Sequence, residues 1–472
     1  MELDDVLTAA GPDAGTTAAE VAEALRAAGT TLVVLDDDPT GTQSIADLPV
    51  LTRWETDDLA WALGRSPALY VLTNSRSLDP AATEERTREV VRAALAAAAE
   101  RGERVTFLSR SDSTLRGHFP LETDVVAEEL VAAGLDRPDL VLLAPAFPDA
   151  GRVTAGGTHW TREGGEMVPV GESEFARDAT FGYRSSHLPD WVAEKTGGAV
   201  AADDVVVLDL ATVRRGPDAV VEFLCGAPTG AVVSVDAATQ VDLQVTALAC
   251  LRLEGEGRTL LYRTGPAFVR ARVGQEAPDV VTHVDVADRS GAGGLVVVGS
   301  HTGLTTRQRD RLVEDRPDTE AVELSVPVLV DDERRSGHLD EAVARVVEAL
   351  DRGDALLQTS RDLVTADDAD ASLALSRSVS DAVVEVVARV LAQRPPRFVV
   401  AKGGITSHDV AVRGLGINRA TVVGPMLPGL VSLWQPADGP AEGVPYVVFP
   451  GNVGDDDGLA RVVDRLAGAA AG

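Results

Sequence analysis

Apolar residues in this chain come as short unbroken runs, separated by stretches in which they recur every three or four positions. In the first half the runs 31–35, 69–73, 104–108 and 139–144 predict buried strands. Between them 79–102 and 121–133 predict helices. In the first of these helices Asp79 stands as N-cap, Pro80 at the first helical position and Gly102 just past the end. Strands are also expected at 204–209 and 231–235. The stretch 254–293, with EGEGR, VGQEAPD and DRSGAGG, reads as a passage between domains. A second set opens with GLVVVGS (294–300) and continues with AVELSV, ALLQTS, RFVVAKGG and YVVFPGN, with helical runs near 339–351 and 377–393. This alternation predicts an α/β class with two domains, each a mostly parallel sheet flanked by helices, and an active site in the interdomain cleft. The expected domains are 1–275 and 290–472.

Composition narrows the partners. The 472 residues are 45% hydrophobic and 25% charged, as in a globular protein, with no apolar run near the ~18 residues of a membrane span. The formal net charge of -31 disfavours nucleic acid and anionic membranes. An anionic ligand therefore has to be held by local cations. Those are arginines, because Lys195 and Lys402 are the sole lysines. The N-terminus lacks the basic start and apolar core of a signal peptide, and the two cysteines, Cys225 and Cys250, form no metal-type pair. A reduced cytoplasmic location is the expectation.

Ligands of open parallel sheets sit beyond the carboxyl ends of the strands. In the first half those ends carry DDDPTGTQ, TNSRSL, SRSDSTLRG and APAFPDAGR, rich in carboxylates, hydroxyls and arginines. Asp37 and Asp38 can orient or deprotonate a substrate hydroxyl, and a like-charged neighbour raises the proton affinity of one of them. An acidic turn capping the next helix is the plainer alternative. Asp36, Asp38 and Thr40 also have the spacing of the haloacid-dehalogenase phosphatase nucleophile motif. Arg76, Arg110 and Arg116 suit bidentate binding of a carboxylate, and the hydroxyls of Ser111 and Ser113 suit polyol oxygens. In the second half GSHTG, QTSRD, AKGGITSHD and PGNVGDDDG suit phosphates approached closely by main-chain N–H groups. Lys402 touches a phosphate or packs beside the glycine turn. Asp455 to Asp457 hold Mg²⁺ or start the last helix. Walker, dinucleotide and protein-kinase motifs are absent, as are histidines at metal spacing; His118 and His159 lie near the first-half loops.

Together DDPTGTQ, TNSRSL, SRSDSTLRGHFP, APAFPDAGRVTAGG, PVGESEFARDATFGYRSSHLPDWVAEKTGG, AKGGITSHDVAVRGLG and YVVFPGNVGDDDGL resemble the four-carbon acid sugar kinase family, in order along nearly the whole chain. The resemblance implies an N-terminal sugar-acid domain and a C-terminal nucleotide domain. It implies that ATP phosphorylates a hydroxyl of an acid such as a threonate, an erythronate or a 3-oxo-tetronate. Carried over by motif, Asp38, Arg76, Arg110, Ser111, Asp112 and Ser113 would contact substrate, and Ser300, Gly403, Gly404, Ile405, Thr406 and Gly451 would contact ATP. Many members read Asp-Asp-Leu/Phe-Thr-Gly-Ala where this chain has Pro39, Thr42 and Gln43.

The expected reaction is phosphoryl transfer to a small sugar acid. Asp38 serves as the catalytic carboxylate, Asp37 supports it, and Arg76, Arg110 and Arg116 hold the acid group. Gly403, Gly404 and Gly451 cradle phosphates neutralised by Mg²⁺, with no protein metal site. The expected partners are the sugar acid and ATP, not nucleic acid or membrane, with a homo-oligomer open. The alternatives are an aspartyl-phosphate phosphatase using Asp36 and Asp38, and a non-catalytic sugar-acid sensor.

Overall fold

The computed structural model describes residues 3–282, 284, 292–360 and 369–468. The chain divides between Pro278 and Asp279 into two units. The expected start of the second domain, residue 290, and most of DRSGAGG lie outside the described residues.

The first unit contains β1 (Thr30–Asp36), β2 (Leu48–Leu51), β3 (Ala68–Leu72), β4 (Arg104–Arg110) and β5 (Leu140–Ala144), then β6 (Arg152–Ala155), β7 (Thr158–Glu163) and β8 (Glu166–Pro169). β9 (Val206–Leu208), β10 (Ala231–Val235) and β11 (Leu260–Thr264) follow. β2–β3–β1–β4–β11–β5–β10–β9 form one sheet in that order, every neighbour pair parallel. The apolar runs are continuous because both faces are covered. Val33, Leu35, Leu69 and Val71 pack against Val90, Val91, Ala94, Ala97 and Ala98 of the helix Pro80–Arg101. That helix ends as its sequence predicts: the Asp79 carboxylate accepts from Ala82 N, and Gly102 is left-handed. From β1 the chain passes to β3 on one side and then to β4 on the other. The loops after β1 and β4 therefore diverge, which is where such sheets bind ligands.

One reading is corrected here. The stretch expected as a passage between domains instead holds β11, which lies between β4 and β5, and the helix Pro266–Arg272. A buried polar cluster ties it down. Tyr262 Oη donates to Glu254, whose other oxygen pairs with Arg272, itself fully buried. The segment after β5, to which the sequence assigned no element, holds β6–β7–β8, a separate antiparallel sheet.

The second unit has β12 (Leu295–Val298), β13 (Glu320–Leu324), β14 (Ala355–Thr359), β15 (Val399–Lys402), β16 (Arg419–Leu427), β17 (Val431–Pro436) and β18 (Tyr446–Phe449), ordered β13–β14–β12–β15–β18–β17–β16. The pairs from β13 to β18 are parallel; β17 runs antiparallel to β18 and to β16. The β16–β17 hairpin was not anticipated, because Gly424 and Pro425 interrupt its run. They sit at register shifts, where such residues are tolerated. Each sheet is thus mostly parallel, as expected. Among the described residues no helix is long and apolar enough to cross a membrane.

Replacing Glu254 by Ala leaves the Arg272 guanidinium buried without its carboxylate. The expected loss is about 3–5 kcal/mol, read from the urea midpoint. A loss below about 1 kcal/mol, the range of exposed pairs, would mean that this cluster does not hold β11 in place.

Candidate active site

The three strand ends β3, β1 and β4 are laced at the main chain before any side chain takes part. Asp36 is level with Leu72 and with Arg110 in the ladder. Thr73 N and Asn74 N donate to Asp36 O at 2.9 and 3.1 Å, Asp37 N to Arg110 O at 3.3 Å, and Arg76 N to Asp37 O at 3.3 Å. Asn74 takes the left-handed conformation at this turn, which asparagine tolerates.

This lacing threads arginines between the aspartates. Arg110 Nη1 lies 2.9 Å from both Asp36 Oδ1 and Asp37 Oδ1. Arg76 Nη2 is 2.8 Å from Asp38 Oδ2 and 3.5 Å from Asp37 Oδ1, and its Nη1 is 3.7 Å from Asp112 Oδ2. Arg116 Nε donates to Asp112 Oδ2 at 2.6 Å. The first-half candidates Asp37, Asp38, Arg76, Arg110, Asp112 and Arg116 therefore meet in one cluster.

The aspartates do not share one environment. Asp36 is 1% exposed, and burial raises its pKa to about 7 against the pull of Arg110. Burial also raises Asp37, with Arg76 and Arg110 opposing. At Asp38 burial is outweighed by Arg76, Arg110 and hydrogen bonds from Thr40, so its pKa falls below the ordinary carboxylate value. Asp112 is likewise held low despite burial, by Arg76, Arg116, Arg152 and Thr114. With its side chain 25% exposed, Asp38 is the most accessible of the three consecutive carboxylates and stays ionised. It also caps the short turn Pro39–Ser44 through Thr40 N at 2.9 Å, so the helix-capping alternative is realised at the same residue.

The phosphatase alternative does not fit this geometry. A nucleophilic Asp36 would have to be open and ionised, but it is buried and paired with Arg110. The chain also packs directly over its carboxylate at Gly41, where an added Cβ would come within 2.2 Å of Asp36 Oδ2. Arg110, 3% exposed, is shared by two carboxylates and supports Asp36 and Asp37.

Ser111 and Ser113 are buried. Ser111 N donates to Thr264 O, and Ser113 Oγ accepts from Arg152 Nη1 at 2.7 Å. His159 is enclosed between Thr154 Oγ1 and Ser113 O, and burial lowers its pKa to about 4. His118 Nε2 meets Leu78 O. Sequence reading missed Glu122 and Arg263, a buried pair beneath the cluster, with Glu122 also accepting from Ser75 and Ser109. The available signal was a charged residue inside the apolar run LLYRT.

In the second unit the loops after β12 and β15 diverge in the same manner, and Ser300, Gly403, Thr406 and Gly451 come together there. Thr302 and Thr305 hydroxyls donate to Gly451 O, each at 2.9 Å, and Thr305 also reaches Ser300 Oγ at 3.1 Å. Gly403 has φ +120°, and a Cβ there would stand 3.1 Å from Ser300 Cβ; only glycine lets the two loops meet so closely. Its N–H donates to Phe449 O at 2.8 Å, so this amide belongs to the fold, contrary to the expected phosphate contact. Gly404 and Ile405 begin the helix Gly404–Asp409, and Ile405 is 74% exposed.

Beside them lies an apolar cavity of about 460 Å³ lined by Val326, Val379, Val383, Val384, Ile405 and Thr406, among others; Ile405 and Thr406 belong to AKGGITSHD, whereas no motif marked the valines. Lys402 is fully buried, donates to Pro450 O at 2.6 Å and lies 3.9 Å from the Phe449 ring centre, so it packs beside the turn. Asp455, Asp456 and Asp457 pair with Arg461, Arg307 and Arg311. They do not form the Mg²⁺ site considered for them, and no other cluster of His, Cys, Asp and Glu among the described residues could hold a metal ion.

Residues 32–272 match the model of a sugar-binding N-terminal domain, and residues 295–459 that of a nucleotide-binding C-terminal domain. No curated protein matches the chain. Among solved structures, the Haemophilus influenzae protein HI1011 is similar at 19% identity and TM-score 0.64. A Salmonella typhimurium LT2 protein is similar at 18% identity and TM-score 0.65. Each comparison covers 91% of this chain and 98% of the other, and shows a shared fold.

Burial lowers the Lys402 amine to about pKa 7, below its unfolded value, so the unfolded chain binds the extra proton between about pH 7 and 10. The stability of the wild type relative to Lys402→Met is therefore expected to rise across that window and to be flat below it. Denaturant melts from pH 6 to pH 10 test this; a flat difference throughout would show that the amine titrates alike in the folded and unfolded chain.

Proposed function

The chain belongs to the four-carbon acid sugar kinase family, and from that premise we propose that it transfers the γ-phosphoryl group of ATP to a hydroxyl of a small sugar acid such as a threonate, an erythronate or a 3-oxo-tetronate. The observation that carries this reading is the Asp38 carboxylate: ionised, partly exposed, and fixed by Arg76 and Thr40 at a diverging strand end in the part of the chain that matches a sugar-binding domain.

In the reaction the acceptor oxygen bonds to the γ-phosphorus as the bridging oxygen–phosphorus bond breaks. ADP leaves, and the hydroxyl proton passes to Asp38 and on to solvent. A carboxylate held below its ordinary pKa is a weak base. Asp38 therefore acts chiefly by accepting the acceptor's hydrogen bond and aiming its lone pair, which suits a loose transition state in which nucleophile deprotonation lags. Asp36 and Asp37, buried behind it, hold Arg110 and Arg76 in register.

The nucleotide is the role proposed for the second unit. Its apolar cavity suits a purine, and the Ser300–Gly403–Thr406–Gly451 loops suit the phosphates. Mg²⁺ enters as part of the substrate Mg-ATP, which commonly brings most of its ligands as phosphates and water.

ADP release from Mg-ATP over a panel of D- and L-threonate, D- and L-erythronate and their 3-oxo forms tests the reading; turnover with none of them would refute it. Asp38→Asn is expected to lower turnover by about 10²–10⁴-fold while Mg-ATP binding survives, and retained turnover would remove Asp38 from its role. Val379→Trp, which fills the apolar cavity, is expected to weaken Mg-ATP binding at least about tenfold, a loss of about 1.4 kcal/mol, and to leave acid binding unchanged. Unchanged nucleotide affinity would place the base elsewhere.

A further inference from the structure

We infer that Arg152, paired with Arg116, receives the carboxylate of the substrate acid. The inference rests on the sugar-acid reading above and replaces Arg110 in the set first expected to hold that group. Two motifs in the sequence, PDAGR and ESEFARD, had no role until the structure brought their Arg152 and Phe175 together with Arg116.

The remaining cations of the cluster are engaged. Arg110 is buried between Asp36 and Asp37, its Nε also without a hydrogen-bond partner, and Arg76 serves Asp37, Asp38 and Asp112, so each of them has carboxylates within ion-pair distance. Arg116 is partly engaged, by Asp112 at 2.6 Å and by Asp178 at 3.5 Å. Arg152 has no carboxylate within ion-pair distance. Its Nη1 donates to Ser113 Oγ at 2.7 Å, and its Nε is buried without a hydrogen-bond partner. Burial depresses its proton affinity, with Asp112 opposing and Arg116 adding to the depression. An enclosed guanidinium with an unmet donor is unfavourable as it stands and becomes favourable when an anion supplies the missing acceptor.

The surroundings define the kind of anion. The Cζ atoms of Arg116 and Arg152 lie 5.2 and 5.5 Å from the centre of the same Phe175 ring. A ring face attracts guanidinium groups but takes none of their in-plane hydrogen bonds, so it gathers two forks without satisfying them. Two forks of fixed planarity match a planar two-oxygen group. Arg152 is also held from behind: it opens β6, and the neighbouring Thr154 is bonded to His159, which in turn is bonded to Ser113 O.

Calorimetric binding of D-threonate, D-erythronate and their 3-oxo forms, with D-threitol and erythritol as analogues lacking the carboxylate, tests the inference. Arg152→Gln is expected to weaken the acids at least about tenfold, as for one charge-assisted contact, and to leave the alditols and Mg-ATP unchanged. Arg152→Lys, which keeps the charge and loses the fork, is expected to fall between. Equal acid affinity in the wild type and Arg152→Gln overturns the inference, as does a wild type that binds none of the acids. If Arg152→Gln fails to fold, as judged by lost Mg-ATP binding, Arg152→Lys and Phe175→Leu decide by the same comparison. Acid binding without ADP release would sink the kinase reading and leave the carboxylate assignment standing.

Discussion

Three adjacent carboxylates at the end of a buried strand cannot all stay charged unless cations are set between them. At about 4 Å two like charges repel by about 4 kcal/mol at the effective dielectric of a protein near its surface. In this chain Arg110 and Arg76 supply the cations, and each comes from a strand beside β1: Arg110 ends β4, and Arg76 follows β3. The requirement couples topology to chemistry. Only a strand with parallel neighbours on both sides, their ends level with its own, can receive an arginine from each side. The fold meets that condition at the place where its connections reverse direction, and there the loops part enough for Asp38 to remain partly open.

The result is graded and not uniform. Asp36 and Asp37 lie deepest and are raised by burial, while Asp38 is lowered by the arginines and by Thr40. Asp36 and Asp37 are equally buried, and the last residue of the three is partly open. This difference separates a structural carboxylate, packed under Gly41, from one that can meet a ligand. Glu122 and Arg263 continue the alternation beneath, with Ser75 and Ser109 accounting for further donors, so the charged layer rests on a satisfied polar floor.

The second unit reaches a comparable geometry with less fixed charge, Asp409 lining its cavity. Its loops meet through Gly403 and through threonine hydroxyls on Gly451 O, and its one nearby amine, Lys402, is turned inward onto Pro450 O. An anionic ligand brought there with its own cation meets small groups, hydroxyls and an apolar cavity. The first unit concentrates charges of both signs at its loops, whereas the cavity of the second is lined mainly by apolar side chains, with Asp409 among them. That division suits a small charged acid in one place and a metal-bound nucleotide in the other.

By itself the sequence determined the features whose causes are local. Runs such as LVVLD and LYVL could only be buried strands, and Asp79, Pro80 and Gly102 bounded a helix by capping chemistry that acts within four residues. The polar content of each strand end showed which edge carries the chemistry, so the members of the cluster were legible as a set. What only the tertiary structure decided depends on partners far apart in the chain. Arg110 looks the same as Arg76 and Arg116 in sequence, yet its strand position buries it between two aspartates. Arg263 pairs with Glu122 across 141 residues, and Arg152 meets Phe175 and Arg116 in a segment to which the sequence assigned no element. The apolar cavity beside Gly403 draws Val326, Val379 and Ile405 from separate elements and leaves no contiguous mark. Capping and periodicity are properties of neighbouring residues, whereas burial and charge pairing belong to residues that the fold alone makes neighbours.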